Sequence, residues 1–305
     1  MKLLVSERLR SKRFWADTAR AYLYLLPAFV ILGTFTFYPV YRSFALSLFD
    51  WDFINPIKRF IGLGNYRELL QDELFWKSLW NTVYYVLGSV VPTMALALGV
   101  AVLLNARIKG RSIFRTSFFI AYITPTVAAT LVFRWIYDRD FGLVNYFLGR
   151  VGIGPIDWLN SPEFTMPAVI LLSIWKYIGF QIVIFLAGLQ NIDRQFYDAA
   201  KVDGASSWQL FRRITLPLLS PTIFFVLIIS SIGAFKVFDE IYVLFPGGRG
   251  GPLNSSMTIV VYLFQKAFGE WRMGYASAAA YVLFFIIFIL TLIQMKLLQR
   301  RVHYQ

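Results

Sequence analysis

Residues Tyr197 to Pro217 read YDAAKVDGASSWQLFRRITLP and form the longest polar, charged run between two strongly apolar segments. Each flanking segment is long enough to supply the roughly 17 to 25 residues that a helix needs to cross a bilayer. A charged run between two spanning helices must lie at a membrane face. The stretch therefore predicts a helical membrane protein with a polar connection between two of its spans.

Small residues and a glycine indicate how this run folds. Gln195 to Val202 is expected to form a short helix, whose residues Ala199 and Ala200 would let another protein surface approach closely. Gly204 should break that helix, because glycine adopts backbone conformations that other residues avoid.

A second short helix is expected after the glycine. Ser206 or Ser207 can cap it at its amino-terminal end, and it should run from Trp208 to Ile214. Pro217 is expected to end it. On these features alone, an ordinary solvated loop is the simpler interpretation of the run.

The composition of the chain places it in a membrane. Of its 305 residues, 58% are hydrophobic and 15% are charged, whereas soluble proteins average about 45 to 50% apolar and 25% charged residues. The net charge is +13, but the basic residues do not form a motif with interleaved aromatics, so no nucleic acid is expected as a partner. The absence of cysteine excludes disulfides and thiolate-based sites.

Six apolar runs have the length of membrane spans. The first follows a basic tail, residues 1–20, and is too long for a signal peptide, so it is expected to be uncleaved. Prolines within or near the spans are expected to bend helices. The predicted spans are Ala21 to Tyr41, Asn81 to Leu104, Phe114 to Tyr137, Met166 to Leu189, Thr222 to Leu244 and Tyr275 to Leu298.

The loops differ in their content of lysine and arginine. Four segments lie on one side of the six spans. They are the amino-terminal tail, the connection after the second span, the Tyr197 to Pro217 run and the tail at residues 299–305. Together with the residues next to them, they carry most of the lysines and arginines that lie between spans. By the positive-inside rule, both termini and the polar run are expected to be cytoplasmic.

Motifs of common catalytic sites are missing from the sequence. It has no phosphate-binding G-x-x-x-x-G-K-[ST], and it has no H-E-x-x-H or G-x-S-x-G. The chain is therefore expected to conduct a solute rather than to catalyse a reaction, with no cofactor or metal of its own.

Polar side chains inside the spans are costly in lipid and usually face a bundle interior or an aqueous path. Ser173, Tyr177 and Gln181 recur every fourth residue on one helix face, as a surface that holds sugar hydroxyls would require. Alternatively, these residues only pack helices, and Lys176 reaches the interface or pairs with Asp239. The candidates are Ser173, Lys176, Tyr177 and Gln181 in the fourth span and Ser230, Ser231, Lys236, Asp239 and Glu240 in the fifth.

The Tyr197 to Pro217 run resembles the EAA loop of binding-protein-dependent ABC importer permeases. That loop reads E-A-A-x-x-D-G-A and ends, further on, with a hydrophobic residue and proline. Asp198 stands where the family usually has glutamate and is one methylene shorter. The resemblance implies a coupling helix that docks on a separate ATP-hydrolysing subunit, within a coupling loop at residues 190–217. The matching residues are Asp198, Ala199, Ala200, Asp203, Gly204, Ala205, Phe211 and Pro217.

Three further stretches resemble the maltose-type carbohydrate permeases of the same superfamily. Residues 62–66 and 75–82 match the G-L-x-N-Y and F-W…N-T signature of these permeases. Residues 250–254 match their G-G-P-x-N loop, and residues 273–278 match their M-G-Y-A-S-A sequence. The resemblance implies an all-α protein with one six-span domain at residues 21–298, of the type I (MetI-like) importer architecture. It also implies import of a sugar or related polyol into a prokaryotic cell.

The resemblance further implies partners for the chain in the membrane. These are a second homologous permease, two ABC ATPase subunits that bind ATP and Mg, and an extracytoplasmic solute-binding protein. The rival hypothesis is a self-contained secondary transporter or channel, in which Lys176, Asp239 and Glu240 would form an ion-coupled group. Against it, the sequence shows no inverted halves with matching broken helices. A membrane-embedded enzyme is a third alternative, but it would need a cluster of acids or histidines that the sequence does not offer.

Overall fold

Long apolar helices make up most of the chain in the computed structural model, which describes residues 12–54, 57–106 and 110–299. Residues 1–11 of the predicted basic tail and the carboxy-terminal residues 300–305 lie outside the described residues. The helices are α1 (Lys12–Leu32), α2 (Tyr38–Ser47), α3 (Gly64–Gln71), α4 (Glu73–Asn105), α5 (Arg111–Ile123), α6 (Thr126–Ile136), α7 (Leu143–Arg150), α8 (Thr165–Gln190), α9 (Arg194–Val202), α10 (Ser207–Leu210), α11 (Leu216–Phe235), α12 (Asp239–Leu244), α13 (Ile259–Phe264) and α14 (Met273–Gln299).

Short irregular turns connect some of these helices without ending them. A π-helical turn, Gly33–Phe37, joins α1 to α2, and a second one, Phe211–Thr215, joins α10 to α11. A third, Gln265–Gly269, continues α13. The two short strands β1 (Phe49–Asp50) and β2 (Arg59–Phe60) pair antiparallel, with Phe49 opposite Phe60 and Asp50 opposite Arg59.

The predicted all-α fold with six spans is confirmed. Five described helices are long and apolar enough to cross a membrane, and a bent pair of helices supplies a sixth. The spans predicted at Asn81 to Leu104, Met166 to Leu189 and Tyr275 to Leu298 lie within α4, α8 and α14. The first span is longer than predicted, because α1 and α2 continue each other across their π-helical turn.

The third span was predicted as one helix from Phe114 to Tyr137, and this prediction was wrong. The segments Ser112–Ile123 and Thr126–Ile136 meet at 97°. Thr124 leaves the helical region with a ψ of 130°, because the ring of a following proline disfavours helical geometry in the residue before it. Pro125 therefore breaks the span rather than only bending it.

The fifth span also differs from its prediction, Thr222 to Leu244. The helix begins in the polar run at Ser207 and ends at Phe235. Residues 236–238 then interrupt it before α12, where Phe238 has φ −143° and ψ −59°.

Pro217 was predicted to end the second short helix, and this was also wrong. The preceding π-helical turn bonds the Leu216 N–H to the Phe211 carbonyl five residues earlier. A π-helical turn re-registers the backbone locally, and the helix continues through Pro217 into α11.

The helix α8 lies at the centre of the bundle and packs against α4, α5 and α11. In the most apolar stretch of α8, 56% of the residues are buried. In the most apolar stretch of the α1–α2 helix, none is buried. Gly179 makes the contact between α8 and α5 possible, because a Cβ at this position would collide with the backbone of Phe118. The helix α1 is the least buried, because its apolar side chains are exposed in this single chain.

Candidate functional site

The polar run from Tyr197 to Pro217 and the three residues before it form a unit that we call the elbow (residues 194–217), and this unit begins with α9. Asp193 precedes it, and its Oδ1 accepts a hydrogen bond of 3.0 Å from the Gln195 N–H. A side-chain acceptor at this position satisfies one of the N–H groups that have no partner at a helix start. The expected short helix is thus confirmed, with its start one residue earlier, at Arg194.

Gly204 ends α9, as the sequence predicted. Its φ is +77°, a value that other residues rarely adopt. The Gly204 N–H donates to the Lys201 carbonyl at 3.0 Å, and the Ala205 N–H donates to the Ala200 carbonyl at 2.9 Å. These two bonds form a Schellman motif, in which the last carbonyls of the helix are satisfied. The corner of the elbow therefore has a defined geometry.

The second arm of the elbow starts with a capping box, in which Ser206 is the capping residue. The Ser206 Oγ accepts from the Gln209 N–H, and the Gln209 Oε1 accepts from the Ser206 N–H at 2.7 Å. The Tyr197 hydroxyl lies 3.0 Å from the Thr215 Oγ1 and ties the two arms together. The elbow is consequently one unit, fixed at its ends to α8 and α11.

The predicted coupling residues lie together on this unit. Asp198, Ala199, Asp203 and Gly204 are exposed, whereas Ala200, Ala205, Phe211 and Pro217 are half-buried. Two apolar side chains beside them, which the sequence did not predict as part of this surface, are Val202 and Trp208, 88% and 67% exposed. Exposed apolar groups rimmed by charges are typical of protein interaction surfaces.

A cavity of about 300 Å³ lies between α4, α5, α8 and α11, and α12 closes one side. We call it the cavity throughout. The break at residues 236–238 shapes it, because this break turns the first residues of α12 toward α8. Its polar and charged lining consists of Tyr85, Ser89, Thr93, Tyr122, Ser173, Tyr177, Gln181, Ser230, Lys236, Asp239 and Glu240.

Hydrogen bonds between different helices hold the polar wall of the cavity. The Tyr177 hydroxyl donates to the Glu240 Oε1 at 2.8 Å. The Tyr85 hydroxyl lies 2.8 Å from the Ser173 Oγ. The wall is therefore assembled from α4, α8 and α12 together.

Aromatic rings form part of the same wall. Tyr122 and Phe180 stack with ring centroids 4.8 Å apart, and Tyr177 meets the edge of Tyr122. Phe238, in the break after α11, also lines the cavity. Flat apolar rings beside hydroxyl, amide and carboxyl groups are chemically suited to a ligand that has both C–H faces and hydroxyl groups.

Seven of the nine candidate residues from the sequence line the cavity, and two do not. The Lys176 Nζ donates to the Thr124 carbonyl at 2.7 Å, a carbonyl near the break between α5 and α6. Lys176 thus supports the broken span and makes no ion pair with Asp239 within the described part of the chain. The Ser231 Oγ accepts from the Gln294 Nε2 at 3.3 Å and faces α14 instead. The seven are Ser173, Tyr177, Gln181, Ser230, Lys236, Asp239 and Glu240.

A third polar group, the Asp72 cluster (Glu68, Asp72, Tyr262, Lys266, Arg272 and Tyr275), lies at the amino-terminal end of α4, away from the elbow. Both the Tyr262 and Tyr275 hydroxyls donate to the Asp72 Oδ2. Burial alone would raise the pKa of Asp72, but the hydrogen bonds from these tyrosines and from the Leu74 N–H lower it.

The same cluster contains a bidentate ion pair between Arg272 and Glu68, with N–O distances of 2.7 and 2.6 Å. The hydrogen bond from Arg272 lowers the pKa of Glu68 and raises the pKa of Arg272. The cluster joins the start of α4 to the start of α14.

Several cavity residues escaped the sequence analysis. Tyr85, Ser89 and Thr93 recur at helical spacing along α4, and this spacing was the available signal. Tyr122 could not be placed, because its position depends on the unpredicted break after Ile123.

Comparison with known proteins gives a family match over most of the chain. Residues 75–304 match the family model described as binding-protein-dependent transport system inner membrane component. The chain is 40% identical to the probable ABC transporter permease protein YesP of Bacillus subtilis over 97% of this chain and 96% of that one.

Two further relatives have names that mention sugars. The arabinooligosaccharides transport system permease protein AraP of Bacillus subtilis is 36% identical and covers 93% of this chain and 90% of its own length. The trehalose/maltose transport system permease protein MalF of Thermococcus litoralis is 35% identical, at 96% and 98% coverage.

A solved structure has the same fold. It is a chain of a bacterial ABC transporter involved in the import of the acidic polysaccharide alginate, with a TM-score of 0.81 and 26% identity. The match covers 95% of this chain and 99% of that one. The family expected from the EAA-like loop is thus confirmed.

Proposed function

Since the chain belongs to the family of binding-protein-dependent transport system inner membrane components, we propose that its cavity is the path along which an ABC importer moves a sugar or related polyol into the cell. The chain is a multi-pass permease subunit and not the ATPase of that system. The cavity supplies hydroxyl, amide and aromatic groups for a polyol, and names of relatives such as AraP and MalF support the same solute class.

One observation carries the proposal, namely that the elbow and the cavity share the same two helices. The elbow connects the end of α8 to the start of α11. Tyr177 and Gln181 on α8 and Ser230 on α11 line the cavity. A force on the elbow therefore acts directly on two walls of the solute path.

The proposed mechanism uses this connection. The elbow docks on an ABC ATPase subunit at the cytoplasmic face, where the termini also lie. ATP and Mg bind to that subunit, so this chain needs no cofactor. When two ATPase subunits close on ATP, they move the elbow, and α8 and α11 carry the motion to the cavity. The cavity then opens outward to receive the solute, and ATP hydrolysis returns it to the inward-facing state.

Two more partners complete the proposed transporter. The exposed apolar surface of α1 would lie against lipid and a second, homologous permease. An extracytoplasmic binding protein would deliver the solute at the end of the bundle that holds the Asp72 cluster. The family description, which names a binding-protein-dependent system, supports this assignment.

The test is purification of the tagged chain from its native membrane in mild detergent, with mass identification of the proteins that accompany it. The expected result is recovery of a second permease and an ABC ATPase. The complex in liposomes should then import radiolabelled sugars only when ATP and a binding protein are supplied. Recovery of the chain alone, with solute movement that needs an ion gradient and no ATP, would contradict the proposal and favour a secondary transporter.

A further inference from the structure

The cavity contains a hydrogen-bond acceptor without a partner. Gln181 is 3% exposed, and its Nε2 donates to the Ser230 Oγ at 3.0 Å. Its Oε1 is buried and accepts no hydrogen bond from any described residue. Such a group lowers stability unless something donates to it, so this oxygen points to a ligand with a hydrogen-bond donor.

A carboxyl group supplies further acceptor capacity in the same wall. Glu240 is 3% exposed, and the contact from the Tyr177 hydroxyl occupies only its Oε1. A carboxyl group keeps acceptor capacity in both of its protonation states. Glu240 can therefore accept additional hydrogen bonds from a bound ligand.

The charges around the cavity differ in burial. Lys236 and Asp239 also line it, but both are exposed. Lys176, the buried lysine of α8, donates to the Thr124 carbonyl and does not line the cavity. Among the acidic and basic side chains of the lining, the buried one is thus Glu240.

We propose that Gln181 and Glu240 make the cavity selective for an uncharged sugar over the corresponding uronic acid, an inference that rests on the transport function proposed above. Sugar hydroxyls donate to both acceptors, while the stacked rings of Tyr122 and Phe180 contact the C–H faces. A uronate carboxylate brings only acceptor oxygens where donors are needed. Polar groups that are left unpaired in a binding site select against such a ligand.

The experiment measures binding to the cavity of the complete transporter without its binding protein, whose own selectivity would interfere. Since the chain has no cysteine, Ser89→Cys places one reactive thiol in the cavity wall. The probes are glucose, galactose and their disaccharides, each paired with its uronic acid. The measured quantity is the concentration of each probe that is needed to protect the introduced thiol from labelling by a maleimide.

The expected result is that the neutral sugar of at least one pair protects at a concentration at least about tenfold lower than its uronic acid. Glu240→Gln keeps the shape and replaces one carboxyl oxygen by an NH2 donor, so it should bring the two concentrations close together. Glu163→Gln, the same change at an exposed site outside the cavity, should leave their ratio unchanged. If Glu240→Gln does not assemble, Gln181→Met serves instead and should raise the protecting concentration of the neutral sugar about tenfold.

Three results would overturn the inference. The first is that the uronic acids protect as well as the neutral sugars or better. The second is that Glu240→Gln leaves the ratio of the two protecting concentrations unchanged. The third, where Gln181→Met is used instead, is that the neutral sugar protects this variant at the same concentration as the parent chain. In each case sugars still bind, so the proposed transport function stands. If none of the sugars or uronic acids protects, the sugar class itself is contradicted and the inference falls with it.

Discussion

The elbow and the cavity are held together in different ways, although the same two helices carry both. In the elbow, bonds between residues close in sequence fix the fold, such as the Schellman bond from Ala205 to Ala200. In the cavity, partners such as Tyr177 and Glu240 lie 63 residues apart. The elbow is thus a local structure placed at a surface, whereas the cavity exists only once the bundle is assembled. Substitutions should accordingly affect docking in the elbow and solute handling in the cavity.

The largest expected effect is at the corner of the elbow. Ala200→Arg adds a bulky cation to the half-buried small-residue surface, so docking of the ATPase should be blocked. We expect ATP-dependent uptake to fall at least about thirtyfold, as for the loss of a central interface contact. The measurement is uptake in liposomes with membrane abundance determined in parallel.

Ala200→Ser is the matched control for this prediction. It adds one oxygen and little bulk, so uptake should stay within about twofold of wild type, as for an energetically near-neutral interface position. Normal uptake by Ala200→Arg would mean that the elbow is not the docking surface.

The next largest effect is expected in the cavity. Tyr177→Ala removes the ring beside Tyr122 and the hydroxyl that donates to Glu240. We expect the KM for the solute to rise by about tenfold to a hundredfold, the range for losing aromatic packing and a buried hydrogen bond.

Tyr177→Phe separates the two contributions, because it keeps the ring and removes only the hydroxyl. It should raise KM by less than Tyr177→Ala does. Elution as an intact complex is expected for both variants. Unchanged kinetics in Tyr177→Ala for every solute would remove this residue from the path.

A stability effect is expected where α8 meets α5. Gly179→Leu would force side-chain atoms into the backbone of Phe118, and overpacking of this kind costs about 1 to 3 kcal/mol. Thermal unfolding in detergent should therefore occur at a lower temperature. Gly99→Leu is the control, since no atom lies near the position of its added Cβ. Equal unfolding temperatures for both variants would contradict the close helix contact.

The smallest effect concerns the ion pair between Glu68 and Arg272. The pKa of Glu68 is lower in the folded state than in the unfolded chain. The pair is therefore fully stabilising above the unfolded value of about 4.3, and its contribution is lost as pH falls through the folded pKa. Because the pair is half exposed, solvent screening limits its contribution to about 1 kcal/mol or less.

The measurement compares wild type with Glu68→Gln in thermal unfolding between pH 7 and pH 3. Wild type should unfold at the higher temperature at pH 7, and the gap should close below pH 4. Glu163→Gln is the control for removing an exposed acid. A gap that widens as pH falls would contradict the assigned direction of the pKa shift.

The sequence predicted the elbow more completely than the cavity, and the reason is physical. Gly204 and Ser206 form their bonds with residues close to them in sequence, so local rules suffice to place them. Pro217 was misjudged because the preceding π-helical turn allows the helix to continue, and no sequence rule that we applied anticipates such a turn.

The cavity was predicted in part, because helical periodicity identifies a face but not what lies opposite it. Ser173, Tyr177 and Gln181 were found by their spacing, and all three line the cavity. Lys176 was misplaced because its partner, the Thr124 carbonyl, is freed near a break that was not predicted. Likewise, the tyrosines that bind Asp72 lie 190 and 203 residues away in sequence, a distance that local patterns do not bridge.

The most direct test of the account asks whether the elbow moves the cavity. Ser230→Cys places a single thiol of this chain in the cavity wall on α11. Its labelling by a maleimide is measured in the complete transporter, with and without ATP, in chains that carry either Ala200 or Ala200→Arg. The account predicts that ATP changes the labelling rate when Ala200 is present and has no effect in the Ala200→Arg chain. An ATP response of the same size in both chains would contradict coupling through the elbow.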